Sequence, residues 1–473
     1  MTSYSLNIMQ FNIEYGGAGV DFRSVGKAIR AAEADVVAIQ EGCGMMAQIA
    51  ADLGWPFYDA RTQVVSKYPL LNPSSTIGGA ILVEIAPRKV LAIINVHPPS
   101  RGYGPTLLVK GADSARVIRR ERKIRVNALQ PSVDAAIELI SKMIPVVLLG
   151  DFNTPSHRDW TEESVGLREH VICPVEWPTS VAVEEAGLAD VYRLVYPDPV
   201  THPGLTWPAD RPFVKGYNPA RAGKAADRID LMYASDAVRP VSVRLVGEVG
   251  SDMTDVGVDP WPTDHRAIVA SLDVEPGAAP TLVSVARRLV AAGEDVEVHY
   301  NAVDDNAGQL AAVPAGSAPQ GALLVERLLD ARTGSRTLVG GQLESRAYDV
   351  LLLTAAGREL ARTPLWVVEP GTRPGIRTGK PIYQVGEAVE LSWENAPGNR
   401  ADWVGVYPRG ADSKVVRRLL WTYTGATVVG AATLDGGVSP RRWPLPAGEY
   451  TTHLMRDDQP ISLAESEFTV LAS

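Results

Sequence analysis

From Leu6 to about Val274, apolar runs of strand length alternate with stretches whose apolar residues recur at helical spacing. The runs are "LNIMQFNI", "DVVAIQE", "GGAILVEI", "VLAIINVH", "VVLLGDFN", "RIDLMYA", "VRLVGEV" and "AIVASLDV". Helical periodicity predicts one helix from about Phe22 to Glu33 and a long one through Arg116 to Lys142. Strands and helices mixed in this way predict a single α/β domain whose sheets form the core. At "VEPGAAP", Val274 to Pro280, the texture turns to Gly, Pro and Ala, as at a domain boundary. Beyond it the strands are short and alternating with frequent turn signals, the texture of a β-sandwich. A second break, "VEPGTRPGIRTGKP" from Val368 to Pro381, divides that region.

The two pieces repeat. "GEDVEVHYNAVDDNAGQLAAVPAGS" from Gly293 aligns without gaps on "GEAVELSWENAPGNRADWVGVYPRGA" from Gly386, so that Tyr300 meets Trp393 and Asn306 meets Asn399. Their ends match again, "YDVLLL" at Tyr348 with "YTTHLM" at Tyr450, after an insertion in the second copy that includes "SKVVRRLLWTY". Two tandem immunoglobulin-like sandwiches are the expected reading, giving domains over 1–276, 277–370 and 371–473. Through "ADWVGVYPRG" the second copy resembles immunoglobulin-like modules appended to some phosphatases.

The 473 residues exceed one ordinary core at roughly 100–200 residues per domain, and 45% hydrophobic with 21% charged content is that of a globular protein. A net charge of −9 argues against a chain whose main task is to coat nucleic acid. Cys43 and Cys173 are too few for a disulfide framework and lack the spacing of a metal knuckle, so both are expected as free thiols. No stretch reaches the roughly 18 consecutive apolar residues of a membrane span, and no leader precedes the first strand. The expected location is cytoplasmic, or secreted if a signal peptide has been trimmed.

Several apolar runs end in a polar residue. Asn12 follows "IMQF", Glu41 follows "VVAIQ", His97 follows "LAIINV", Asp151 and Asn153 follow "VVLLG", Asp230 opens "DLMY", and Asp264 and His265 precede "AIVASL". Each alone has a plain explanation, and Asp151 with Asn153 reads equally as an Asx turn bonding its own backbone. Their recurrence at strand ends, where ligands of α/β proteins gather, points instead to one site.

The ordered set "FNI", "QE", "NVH", "GDFN", "RID" and "TDH" resembles the endonuclease/exonuclease/phosphatase superfamily over residues 4 to 274. The resemblance implies a four-layered α/β sandwich, two facing sheets with helices outside, and Mg²⁺-dependent hydrolysis of a phosphoester, with Mn²⁺ or Ca²⁺ as alternatives. Thr263 stands where many members carry Ser and keeps the hydroxyl. Positioning and electrostatics supply most of the rate of such a reaction. Mg²⁺ takes oxygen ligands, so Glu41 is the first expected ligand, with Asn12 beside it and Asp264 as a further one. The resemblance makes Asp230 the acid that orients His265. Asp151 would activate the water or assist the leaving group, Asn153 would donate to phosphoryl oxygens, and His97 would contact the phosphate from the opposite wall. Whether Asp151 or His265 takes the water's proton stays open at this point.

Trp207, in "THPGLTWPADRP", is a candidate to stack on substrate, and Arg101, in "SRGYGP", a candidate for a phosphate. The basic stretch "RVIRRERKIR", Arg116 to Arg125, reads as a solvated helix face in preference to a nucleic-acid footprint. The expected enzyme is a phosphodiesterase or phosphatase acting on a small or lipid-derived phosphoester. A nuclease of the same fold is the alternative, and a non-catalytic binding protein is third. The sandwiches are expected as accessory modules that fold apart from the catalytic domain, either binding a surface or polymer or bracing the enzyme, since every proposed catalytic and metal-binding residue lies at or before position 265.

Overall fold

The computed structural model describes residues 2–17, 21–72, 79–210, 226–304, 306–413, 416, 418–437, 442–457, 459 and 461–472. Two seven-stranded sheets face each other in the N-terminal region. The first runs Val256–Val258, Val238–Glu248, Ala267–Val274, Tyr4–Asn12, Val36–Gln40, Val64–Ser66, Phe57–Asp59. The second runs Leu70–Leu71, Ala80–Ala86, Lys89–Val96, Val146–Asp151, Asp230–Ala234, Ala189–Asp190, with Gly277–Ala278 also pairing to Lys89–Val96. Residues just past position 276 therefore still belong to this sheet, and Ala279 and Leu282 pack into the layer outside it.

Side chains alternate across each strand, and the alternation sorts the layers. Leu6 and Ile8 of the first strand join Ile93, Val147, Leu149 and Met232 between the sheets. Met9 and Phe11 point the other way, onto the helices Arg23–Ala31 and Met46–Leu53. The outer face of the second sheet is covered by Leu129, Val133, Ala136 and Leu139 of the helix Asn127–Ser141. The result is the four-layered α/β sandwich of the expected fold class.

Tyr4–Asn12 runs parallel to Val36–Gln40, and Lys89–Val96 parallel to Val146–Asp151. Each parallel pair needs a crossover, which helices supply, so the carboxyl ends of the four strands open in pairs at common mouths. The helix expected from Phe22 to Glu33 spans Arg23–Ala31. The long one is broken: Ser114–Glu121 passes through a π-turn, Arg122–Val126, into Asn127–Ser141, which contains Pro131. Proline lacks the N–H that would close the bond to the fourth residue before it, and a widened turn just ahead of it is a common accommodation.

The C-terminal region is all β, and its two copies share one topology. Leu282–Val285, Val296–Asn301 and Thr333–Leu338 form a three-stranded sheet, matched by Gly375–Thr378, Val389–Glu394 and Gly430–Leu434. Five-stranded sheets oppose them, built on Arg346–Thr354 with Glu359–Val368 and on Gly448–Met455 with Ser462–Leu471. Val283 pairs with Tyr300 as Ile376 pairs with Trp393, so the aromatic residues aligned by sequence hold equivalent positions. Within the inserted "SKVVRRLLWTY", Lys414, Val415 and Arg417 lie outside the described residues, and Leu420–Tyr423 is a strand. Each copy has its own apolar core.

Gly150 allows the two central strands of the second sheet to lie close together. It sits opposite Val96 in the ladder, and a Cβ there would lie 1.9 Å from the Val96 carbonyl oxygen. Gly150→Ala should therefore force apart the two strands that carry His97 and Asp151. A loss of about 2 kcal/mol or more is expected in denaturant melts. An unchanged midpoint would show that the close approach carries no constraint.

Candidate active site

The inward face of each central strand changes character at one end. Leu6 and Ile8 give way to Gln10 and Asn12, Val36 and Ala38 to Gln40, Leu91 and Ile93 to Asn95 and then His97, and Val147 and Leu149 to Asp151. Period two keeps these residues on the face that is apolar deeper in the sandwich. The amide Nε2 of Gln10 donates to Gln40 Oε1 at 2.7 Å and to Asp230 Oδ1 at 2.5 Å. Gln40 Nε2 donates to Asn95 Oδ1 at 2.7 Å. Asn95 Nδ2 donates to the carbonyls of Ile39 and Thr62.

Above this floor stand the groups predicted to work. His265 Nδ1 meets Asp230 Oδ2 at 2.9 Å, so the pairing expected from the resemblance is present. Its Nε2 lies 3.4 Å from Asn12 Nδ2, 3.7 Å from Asp264 Oδ1 and 3.8 Å from Asp151 Oδ2. Asp151 Oδ1 accepts the Asn153 N–H at 2.8 Å, while Oδ2 accepts from Asn12 Nδ2 at 3.0 Å and lies 3.4 Å from His97 Nε2. One oxygen thus closes the Asx turn, and the other faces Asn12 and His97. Thr263 Oγ1 accepts the His265 N–H, the task its hydroxyl needed to keep.

Glu41 has φ of 55° and Asn153 has φ of 53°. Non-glycine residues rarely adopt the left-handed region, and where they do so together the surroundings are imposing the geometry. Glu41 Oε2 accepts the Tyr15 N–H, and its Oε1 lies 3.4 Å from Asn12 Nδ2. Asn12 is therefore a donor spanning the carboxylates of Glu41 and Asp151, with its own Oδ1 accepting the Glu14 N–H. Asn153 Nδ2 donates to the Pro98 carbonyl, which joins the turn after Asp151 to the segment after His97.

Charges follow from this crowding. Burial works against the His265 imidazolium, but Asp230, Asp264 and Asp151 outweigh it and hold the ring's pKa well above the ordinary histidine range. Burial likewise opposes ionisation of Asp151, yet His265 and His97 beside it keep its carboxyl below the usual range. His97, disfavoured as a cation by burial and favoured by Asp151 and Glu41, is raised.

Ligand atoms of Asp151, Asp230 and His265 all lie within 4.8 Å of one another, a cluster suited to a cation. Asp230, however, already spends both oxygens, on Gln10 and on His265. The carboxylates with exposed faces are Asp264, whose side chain is 24% accessible, and the half-buried Glu41.

Trp207 stands beside the site. Its Nε1 donates to Asp264 Oδ2 at 3.1 Å, and its ring meets Tyr103 edge-on and lies 6.4 Å from His265. Arg211 and Pro212 of the same loop lie outside the described residues. Arg101 is exposed, and its carbonyl accepts from Arg125; among the described residues no hydrogen bond joins its side chain to the other candidates. Sequence reasoning passed over Gln10, Gln40 and Asn95, although an amide in the inward phase of an apolar strand is a readable signal. It also passed over Asp227, which accepts from Tyr103 Oη, Trp160 Nε1 and His170 Nε2, and whose backbone holds the Trp207 segment.

The fold is a two-sheet α/β sandwich with acids, amides and histidines gathered at one mouth. The chain belongs to the endonuclease/exonuclease/phosphatase family, whose model matches residues 9–265 and whose members typically hydrolyse phosphoesters. It is 27% identical to an uncharacterized protein of Caenorhabditis elegans over 291 residues, 57% of this chain and 91% of that one. Among solved structures it is similar to an endonuclease/exonuclease/phosphatase from Beutenbergia cavernae, at 17% identity, 76% of this chain, 99% of that chain and a TM-score of 0.35. Murine CEACAM1b matches 41% of this chain and 99% of its own, at 14% identity and a TM-score of 0.16.

Removing the Asp230 charge should lower the pKa of His265, because the largest favourable neighbour of the imidazolium is lost. In Asp230→Asn a histidine NMR titration should show one ring titrating at lower pH than in the wild type, with the fold retained. An unmoved ring would dissolve the pairing.

Proposed function

We propose that this protein is a divalent-cation-dependent phosphoesterase, working with Mg²⁺ or in its place Mn²⁺ or Ca²⁺, that hydrolyses a mono- or diester of a small or lipid-derived substrate by water attack on phosphorus. The observation that carries the reading is a buried Asp151 set between two imidazoles, His97 and His265, with Asn12 bridging it to Glu41 at one mouth. Glu41 and Asp264 would hold the cation on their exposed faces, with the Asn12 amide turned to present its oxygen. Such an ion, once bound, offsets negative charge building on the phosphoryl oxygens.

The chain's own groups divide the remaining work. Asp151 keeps its ionised Oδ2 toward the site and takes the proton of the attacking water. His265, kept cationic and oriented by Asp230, stabilises the phosphoryl oxygens, and His97 contacts them from the other wall. Asn153 braces the turn between Asp151 and Pro98 in addition to any donation to substrate. Trp207 forms the wall on which the rest of the substrate lies. We also propose 1–276, 277–370 and 371–473 as the working division of the chain, the first domain carrying the chemistry.

One observation supports a nuclease as the second reading. Arg116, Arg119, Arg120, Arg122 and Lys123 are exposed on the helical segment whose buried Arg125 donates to the carbonyls of Ser100 and Arg101, just past His97. A panel of nucleic acids, phospholipids, nucleotides, sugar phosphates and inositol phosphates, run with Mg²⁺ and with EDTA, separates the two. Turnover of a small or lipid phosphoester, abolished by EDTA and insensitive to moderate salt, is expected. Activity confined to nucleic acid with a steep salt slope would transfer the assignment to the nuclease.

Glu41→Gln should fold as wild type and lose turnover by at least about a hundredfold, since a metal-ligand charge is removed from a preformed pocket. Wild-type kcat in this variant at saturating Mg²⁺ would sink the ligand assignment.

A further inference from the structure

The second β-sandwich is fastened to the catalytic domain beside Glu41. Asp457 Oδ2 accepts the Gly44 N–H at 2.5 Å and Gln63 Nε2 at 3.2 Å. Arg456 Nη2 donates to the Gly44 carbonyl, and Gln459 Nε2 donates to Cys43 Sγ. Gly44 is three residues beyond Glu41, so the loop that presents the proposed metal ligand is clasped from outside its own domain.

A second strut lies next to the first. The turn Asn399–Asp402 is closed on itself, with Asp402 accepting from Asn399 N and Nδ2. Asp402 also accepts the Asp457 N–H, and Asp457 accepts the Ala401 N–H. From this braced turn the Arg400 N–H donates to the Ala60 carbonyl at 3.3 Å. The segment after Ala60 is the one whose Thr62 and Gln63 carbonyls accept from Asn95, two residues before His97 on the same strand. Arg400 is only half buried. Its guanidinium charge bears on His97, working against the histidine cation, as well as on Asp457. In the gapless alignment of the two repeats, Ala307 occupies the place of Arg400, so the first copy has no such charge to offer.

We propose that the second β-sandwich is part of the active site, and that its Arg400 binds an anionic oxygen of the phosphoester on the His97 side. The proposal rests on the phosphoesterase reading and extends it, because it makes substrate recognition depend on a residue more than a hundred positions beyond the last residue of the family match. A guanidinium suits this task, offering a planar fork of donors that pairs with phosphate oxygens without being deprotonated. Its backbone is held by the turn and the Ala60 bond, so that only the side chain remains to be ordered when substrate arrives.

The test uses the full chain with Arg400→Ala and Arg400→Lys. It compares steady-state kinetics on whichever small phosphoester the wild type turns over with calorimetry of inorganic phosphate in the presence of Mg²⁺. Arg400→Ala should raise KM and phosphate Kd about tenfold or more while kcat stays within about threefold, and Arg400→Lys should recover part of the affinity. A purely structural role would lower the melting temperature without a KM-selective effect or rescue by lysine. If Arg400→Ala does not fold, Arg400→Gln, which keeps length and donors but not charge, takes its place. Unchanged KM and phosphate affinity overturn the proposal. Should the wild type hydrolyse none of the panel, the phosphoesterase reading fails by itself. Phosphate calorimetry then still decides on Arg400: a tenfold weakening supports it, and equal affinity or no binding to the wild type overturns it.

Discussion

Everything at this site depends on one constraint: polar groups that replace aliphatic ones on the inner face of a closed sandwich bond chiefly to each other, with Gln10 Oε1 left as an acceptor without a partner. A buried donor or acceptor left unmatched costs about 1–3 kcal/mol, so these positions are not independently variable. Gln10 and Asp230 are both fully buried, and the bond between them joins the two sheets. Through Asp230 the floor fixes the ring of His265, and through Asn95 it fixes the segment leading to Gln63. The catalytic geometry is in this sense the upper layer of a hydrogen-bonded core.

That dependence explains which features are legible in the sequence. Asn12, Glu41, His97, Asp151, Asp230, Asp264 and His265 were visible because each interrupts an apolar run, and they do converge. The sandwich itself was legible because strand alternation sorts Leu6 and Ile8 from Met9 and Phe11 without any long-range information. The short strands Phe57–Asp59, Val64–Ser66 and Leu70–Leu71 were not, since two or three residues hold too little periodicity to separate from loop. Gln10, Gln40 and Asn95 lay in plain view, but their inward phase acquires meaning only once the opposing sheet is known. The orientation of Asn12 depends on contacts with Glu14, Glu41 and Asp151 that no local pattern encodes.

The role of the repeats was the least legible feature. Their separate cores and Pro/Gly-rich joints read as independent modules, and each copy does have its own apolar cluster. Contacts between modules, however, use backbone N–H and carbonyl groups at Gly44, Ala60 and Arg400, which carry no side-chain signature at all. The side chains of the clasp, Gln63, Arg456, Asp457 and Gln459, are written in residue types, but polar surface residues are too common to stand out.

Backbone strain gives the clasp a physical reason. Glu14, Tyr15, Glu41 and Cys43 all have positive φ and lie together, with Gly16 N–H bonded to the Glu41 carbonyl and Tyr15 N–H to its carboxylate. Conformations of this kind cost of order 1–3 kcal/mol each and persist only where neighbours over-determine them. On one side the neighbours are the Gln40 and Asn12 strand ends. On the other, Gly44 at φ of 76° is held at its N–H by Asp457 and at its carbonyl by Arg456. A loop strained to aim Glu41 into the site needs restraint from both sides, and at Gly44 both backbone groups are held from outside the N-terminal domain. The second sandwich supplies that restraint, which places the origin of the Glu41 geometry partly in residues that follow the catalytic domain by almost two hundred positions.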